Sequence, residues 1–537
     1  MVDPSSANAD SPKDTHLYTN GLWLCLVAAV CVIAIALRVV THDVSWRTPD
    51  EKTYISYATQ VGQSGAGAFR ALVSYYNRDS TQWLYPPPLR VGYVLAVAEL
   101  ANLFGTSAEK AGTWLAFASS LVGFFVAALL GWRFFDRWTT LFTLAFLSVS
   151  PLDLAIARRT WADSLVGAAG ILLVYLCLEA SVSIRPNKWR IAFWIVGIYF
   201  LLTKEFAIFI YGLCVLWLLT EVWLQRRSWK AAATVAAPSA LTVLVSYAFL
   251  IWIAGGLNPM LQLYHHLGQA HISNQYVNLY QRGPWYSFPL GFWVLSPFTT
   301  LFAGVGIAQI ILRRNSLTAI FADAWQRRGT VAIALFVPAV LAVATFLPGF
   351  KSLRFVSVVA VPICIVGGFL ISHLLAEART RFAPAVSHCV LCVVTIVVAL
   401  VCISDYIRFQ RIFVHYELDD VTVPRVVNFA FAADSGWDKA RAETFDSSSF
   451  PEYQLLRSLV LYDQGRYAEA IKACQAALNL KPDCAEAWNN ICAAENKLGR
   501  YQEAAAACEQ ALRYKPDFEL ARNNLQYARE KLKASAK

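Results

Sequence analysis

Apolar and polar stretches alternate along the chain in blocks too long for a soluble fold. Apolar runs lie at roughly 21–40, 89–104, 112–132, 138–150, 164–181, 191–203, 206–224, 232–254, 288–312, 330–347, 354–375 and 384–404. A helix that crosses a bilayer needs about 20 such residues. After Ser404 the long apolar blocks stop and Ala, Asn, Glu and Lys take over. The pattern predicts an all-α protein, with a polytopic transmembrane helical bundle over 21–404 and a soluble part behind it. Residues 1–20 are polar, rich in Ser, Asp and Pro, and are expected to be disordered. Run 21–40 has no small-residue cleavage site behind it and reads as a retained signal-anchor.

Positive clusters orient the runs, because cytoplasmic loops collect Lys and Arg. Arg133 and Arg137; Arg185, Lys188 and Arg190; Arg226, Arg227 and Lys230; Arg313, Arg314, Arg327 and Arg328; and Arg379 and Arg381 mark the inner side. The segments 41–88, 152–163, 255–287, 348–354 and everything after 404 then face outward. Run 89–104 breaks this parity. It is short, follows Pro86-Pro87-Pro88 and carries Glu99, so it reads as a juxtamembrane or half-inserted helix. About 11 spans remain, give or take two, with the N-terminus inside. The chain reads as a multi-pass protein of a cell inner or plasma membrane whose C-terminal domain is extracytoplasmic.

Composition agrees, with 57% hydrophobic and 15% charged residues in 537. The net charge of +10 comes from short clusters between apolar runs, which gives no ground for a nucleic-acid partner. Eight of the 12 cysteines lie in apolar runs, where Cys acts as a small hydrophobe. Cys474, Cys484, Cys492 and Cys508 lie in the tail without metal-ligand spacing.

The tail repeats itself. Gly465-Arg466-Tyr467-x-Glu469-Ala470 recurs as Gly499-Arg500-Tyr501-x-Glu503-Ala504, a shift of 34, and Lys481-Pro482-Asp483 recurs as Lys515-Pro516-Asp517. This is the period of tetratricopeptide repeats, in which small residues let paired helices approach closely. Residues 451–537 are expected to form a short α-solenoid, with 451–464 as the second half of a preceding pair and 518–534 as a closing helix. It serves either as a cap or spacer, or as a groove for a protein partner. Residues 405–450 read as a linker with partial helix.

Chemistry concentrates at the predicted outer face. Asp50 and Glu51 follow the first span, where adjacent carboxylates must be paired or lie in a wet cleft. Arg158, Arg159 and Asp163 place two cations and an acid on the outer side, against the positive-inside tendency, and a phosphate or an ion pair would account for them. Lys351 and Arg354 stand just before a span, where they could grip a phosphate or snorkel to headgroups. Thr203-Lys204-Glu205 is a buried ion pair or part of the same cleft. Trp83-Leu84-Tyr85-Pro86-Pro87-Pro88-Leu89 is stiff and extended. His265, His266 and His271 sit among tyrosines and tryptophans in loop 255–287. They could carry a divalent cation, the one cofactor the sequence suggests, although their spacing is a poor metal signal. The aromatic residues around them could stack on sugars or form an interfacial belt.

Taken in order, these stretches resemble the C-type glycosyltransferase superfamily over about residues 20–405, close to protein O-mannosyltransferases and lipid A aminoarabinose transferases. The family opens its first outer loop with Asp-Glu and a following Tyr, matched by Asp50-Glu51 and Tyr54. Pro87-Pro88-Leu89, then Pro151 with Arg158 or Arg159 and Asp163, then Leu202-Thr203-Lys204, and finally Lys351-Ser352-Leu353-Arg354-Phe355 match its later elements. The resemblance implies a membrane enzyme that takes a sugar from a polyprenyl-phosphate carrier and passes it to a protein, lipid or glycan acceptor. Asp50 would be the base or orient the acceptor, and Glu51 would help position it. Arg158, Arg159, Lys351 and Arg354 would hold the donor phosphate, with Tyr54, Asp163 and Lys204 in the substrate site. The chain departs from aminoarabinose transferases at Tyr85-Pro86, where they place a basic residue. It also lacks the trefoil domain of eukaryotic mannosyltransferases. A polysaccharide ligase or polymerase, and a membrane-anchored repeat scaffold with no catalysis, are the competing readings.

Overall fold

The computed structural model describes residues 12–41, 44, 47–183, 186–273, 283–312, 323–346, 351–415, 418–431, 451–463 and 465–535. Among them every named element is helical, and the only β feature is an isolated bridge between Ser352 and Thr422. The described residues fall into two compact units, one running to Ala430 and one beginning at Phe431.

In chain order the first unit holds α1 (Pro12–Val40), α2 (Pro49–Ser64), α3 (Ala68–Arg78), α4 (Val91–Leu103), α5 (Ala108–Phe134), α6 (Arg137–Ser148), α7 (Pro151–Ala157), α8 (Ala162–Val182) and α9 (Pro186–Leu201). There follow α10 (Ala207–Arg226), α11 (Trp229–Ala254), α12 (Leu257–Ser273), α13 (Ser287–Leu295), α14 (Pro297–Leu312), α15 (Ala324–Phe346), α16 (Ala360–Arg381), α17 (Pro384–Phe409) and α18 (Val423–Phe431). A 3-10 turn over Leu353–Val359 leads into α16.

Eight described helices are long and apolar enough to cross a membrane, or nine if α6 and α7, bent by 55°, count as one span. The protein is an all-α polytopic membrane protein. Run 89–104, not counted as a span, forms the 13-residue helix α4, about 20 Å long and too short to cross. The eight or nine spans, against the expected 11 give or take two, reflect how two other apolar runs fold. Run 191–203 belongs to α9, of 16 residues. Run 288–312 is cut at Ser296, where Pro297 cannot donate the amide a continuous helix needs.

Two further expectations are corrected. Helix α1 already begins at Pro12, so 12–20 is helical rather than disordered; residues 1–11 lie outside the described set. The stretch 405–430, expected in a linker, belongs to the membrane unit. The last span continues through a π turn over Gln410–His415. The chain then runs antiparallel to 351–353, with Leu353 N bonded to Val421 O at 3.0 Å and Val423 N to Lys351 O at 2.8 Å. Residues 432–450 lie outside the described set.

A second core supports the short helices between the first spans. Tyr54, Val61, Phe69, Tyr76, Tyr93 and Val97 of α2, α3 and α4 bury their rings and branches together with Ile253, Met260 and Leu263 of α11 and α12. This apolar layer is the floor on which the candidate site rests.

The second unit contains α19 (Pro451–Asp463), α20 (Tyr467–Leu480), α21 (Ala485–Lys497), α22 (Tyr501–Tyr514) and α23 (Glu519–Ser535). Its core is built from alanines, with Ala477, Ala487, Ala494, Ala504, Ala511, Ala521 and Ala528 all at 0% exposure. Helix α19 packs on α20 as the first helix of a pair, not as the second half of an earlier one. A disulfide, Cys492–Cys508, joins α21 to α22, which the sequence reading did not anticipate.

Candidate active site

The site begins with a helix start. Thr48-Pro49-Asp50-Glu51 opens α2 with a capping box: the Glu51 amide donates to the Thr48 hydroxyl at 3.3 Å, and Glu51 accepts from the Thr48 amide at 2.8 Å. Pro49 fits the first helical position. Asp50 and Glu51 therefore sit in the first turn, where the helix dipole favours negative charge. At the start of α8, after the non-helical corner 158–161, Asp163 occupies the same kind of first-turn position.

The two adjacent carboxylates have opposite fates. Glu51 is fully buried. Besides Thr48 it accepts from the Thr160 amide at 2.8 Å and from Arg47 and Arg159, each at 3.1 Å. All its acceptor positions are taken, so its expected role in positioning an acceptor is corrected: it locks the α2 start to the 158–161 corner. Asp50 keeps 28% of its side chain exposed and pairs with Arg354 at 3.0 Å.

The expected phosphate ligands separate in the same way. Arg159 is buried on Glu51 and stacks near Trp161. Arg158 is buried and donates to the Phe413 carbonyl at 3.1 Å. Lys351 donates to the Thr345 carbonyl at 2.7 Å, at the C-terminal end of α15, where exposed carbonyls attract cations. All three side chains are engaged by protein groups in this structure. Arg354 keeps 12% of its side chain exposed. It lies over the Trp161 ring at 4.7 Å, pairs with Asp50 and leaves its Nε without a hydrogen-bond partner among the described residues.

Behind this pair, Asp163 and Lys204 form a buried ion pair, and Lys204 stands 4.4 Å from the Phe355 ring. Burial pushes the Lys204 amine down to about 8, helped by the Arg90 and Arg354 cations and opposed by Asp163. The Tyr54 ring is buried and its hydroxyl meets Arg90. Burial raises its pKa despite that cation. Tyr54 thus joins the network through Arg90.

Arg90 and Glu205 form a charged pair that the sequence reading missed. Arg90 holds Glu205 through three contacts of 2.9 to 3.1 Å. Burial works against the Glu205 charge, but the Arg90 pair prevails and holds the carboxyl below its usual range. The available signal was an arginine directly after the Pro-Pro-Pro-Leu stretch on the predicted outer side.

The site therefore has two tiers. Asp50–Arg354 and Glu205–Arg90 are partly exposed, with side chains 28%, 12%, 28% and 12% exposed. Glu51–Arg159 and Asp163–Lys204 are sealed beneath, none more than 6% exposed. Asp163 also lines a mixed, largely apolar cavity of about 30 Å³ with Ser119, Ser120, Asp153, Ser164 and Ser357, a volume suited to water rather than a sugar. Asp50 and Arg354 do not line it. No group of three or more His, Cys, Asp or Glu able to hold a metal occurs among the described residues. His266 stacks on Trp83 at 4.0 Å, and the His271 side chain lies outside the described set.

The chain matches the archaeal oligosaccharyltransferase of Archaeoglobus fulgidus over 72% of its own length and 55% of that protein's, with a TM-score of 0.51 and 11% identity. The C-type glycosyltransferase fold is shared. ArnT from Cupriavidus metallidurans aligns over 92% of this chain and 80% of its own in the apo state, at 15% identity and a TM-score of 0.48. Its undecaprenyl phosphate complex aligns over 91% and 80%, at 16% and 0.49. Residues 455–518 match the tetratricopeptide repeat family model. No curated protein gives a significant sequence match.

Proposed function

We propose that the protein is a membrane glycosyltransferase that moves a sugar from a polyprenyl-phosphate carrier to a protein, lipid or glycan acceptor on the outer membrane face. The observation that carries this reading is the partly exposed Asp50–Arg354 pair, a carboxylate and a guanidinium 3.0 Å apart. A sugar phosphate offers Arg354 an anion that competes with Asp50. Asp50, released, takes the proton of the acceptor hydroxyl or amine. The acceptor atom bonds to the anomeric carbon as the carbon–oxygen bond to phosphate breaks. The phosphate departs with the electron pair, stabilised by Arg354 and by the Lys204 cation behind it. A single displacement inverts the anomeric centre.

The fold shared with an oligosaccharyltransferase supports the same class of chemistry. In this reading the repeat unit lies on the outer side, where it meets the acceptor or a partner protein. The test is transfer by purified protein from undecaprenyl-phosphate sugars, with the product's anomeric configuration read by NMR. Transfer with inversion is expected. Retention of configuration would remove the single displacement, and absence of transfer from any such donor would remove the reading.

A further inference from the structure

The second open pair has no task in the chemistry above. Glu205 is locked to Arg90, yet its side chain keeps 28% of its surface open. Oε2 accepts twice from Arg90 and Oε1 once, so Oε1 keeps a lone pair that Arg90 does not use. The surroundings are aromatic and hydroxyl-bearing. The Glu205 carboxylate acts electrostatically on the hydroxyls of Tyr76, Tyr247 and Tyr264. Tyr76 is held by Trp83, donating to its carbonyl at 3.0 Å while the Trp83 indole returns a bond to the Tyr76 carbonyl at 2.9 Å. Tyr264 is half-buried.

We infer that Glu205, Arg90 and Tyr264 form the subsite that receives the sugar ring of the donor and sets which sugar is accepted. This rests on the glycosyltransferase reading. The chemistry favours a pyranose whose hydroxyl or ammonium groups donate to Glu205 while a ring face meets the tyrosines. Position agrees. Tyr54 bonds Arg90 and lies within electrostatic reach of Asp50 and Asp163, so the two open pairs flank one tyrosine. With the phosphate on Arg354 and the anomeric carbon before Asp50, the rest of the ring extends toward Glu205.

The experiment uses the full-length protein with undecaprenyl phosphate carrying glucose, mannose or 4-amino-4-deoxyarabinose, and bare undecaprenyl phosphate as competitor. Glu205→Gln is expected to raise the donor KM about tenfold or more, since a hydrogen bond to a charged group is lost, while Ki for the bare carrier stays within about twofold. Tyr264→Phe should give the same pattern with a smaller rise. An unchanged KM in both variants overturns the inference. So does a KM and Ki that rise together, because Glu205 would then serve only to hold Arg90 and the fold. If the wild-type protein uses none of the three donors, the proposed function fails and this inference fails with it.

Discussion

Asp50 and Glu51 are neighbours in sequence with unrelated duties. Glu51 binds the Thr48 and Thr160 amides and two arginines in a sealed site, so Glu51→Ala leaves buried cations and amides unpaired. Breaking a buried ion pair on one side costs about 3–5 kcal/mol. A clear drop in thermal midpoint in detergent is expected, with activity lost alongside it. Asp50→Asn, on the open pair, should leave the midpoint nearly unchanged. Lys204 adds a pH prediction. Its folded value near 8 lies below the ordinary 10.5, so the folded protein holds this proton less tightly than the unfolded chain does. The charged amine costs stability at neutral pH, and that cost is relieved as pH rises from about 8 toward 10.5. Activity runs the other way, because deprotonation removes the cation beside the leaving phosphate. The rate should fall with an alkaline limb near 8, and Lys204→Arg should move that limb upward. At this scale the sequence made the charged positions legible but not their direction. Adjacent acids look alike until the corner 158–161 packs over one of them.

Elements explain the direction. The Thr48-Pro49-Asp50-Glu51 cap was readable as a helix start, and the structure has α2 begin there. The corner that receives Glu51 depends on Gly112 of α5: a Cβ there would stand 2.2 Å from the Thr160 Cγ2. Gly112→Ala should push Thr160 off Glu51, lowering both thermal midpoint and transfer, whereas Gly212→Ala, with nothing near its Cβ, should change neither. That dependence joins residues far apart in sequence, so no local pattern reveals it. The return of 418–424 beside 351–353 was hidden for the same reason. The disulfide shows a period read without its consequence. Cys492 and Cys508 lie 16 apart on facing helices, and a shift of 34 maps them onto Ser458 and Cys474. One helix pair can therefore be cross-linked while its predecessor cannot. Closing a loop of this size stabilises by about 3 kcal/mol. Reduction, or Cys508→Ser, should lower the melting of the repeat unit and leave donor KM unchanged.

The whole molecule joins a polytopic bundle to a repeat array. The bundle's fold was legible because membrane-length apolar runs and their flanking charges are strong signals, whereas broken helices such as α13–α14 blur the count. Disulfides persist in oxidising compartments, so the Cys492–Cys508 bond suits the outer side expected from loop charge. An impermeant maleimide applied to intact cells after reduction should label the tail if it lies outside. Labelling only after lysis would reverse the assigned topology. The central claim is that one open carboxylate performs the transfer, and its most direct test is single-turnover transfer from an undecaprenyl-phosphate sugar by Asp50→Asn protein of unchanged thermal midpoint. The account predicts loss of transfer with the donor still bound. Transfer at the wild-type rate would contradict it.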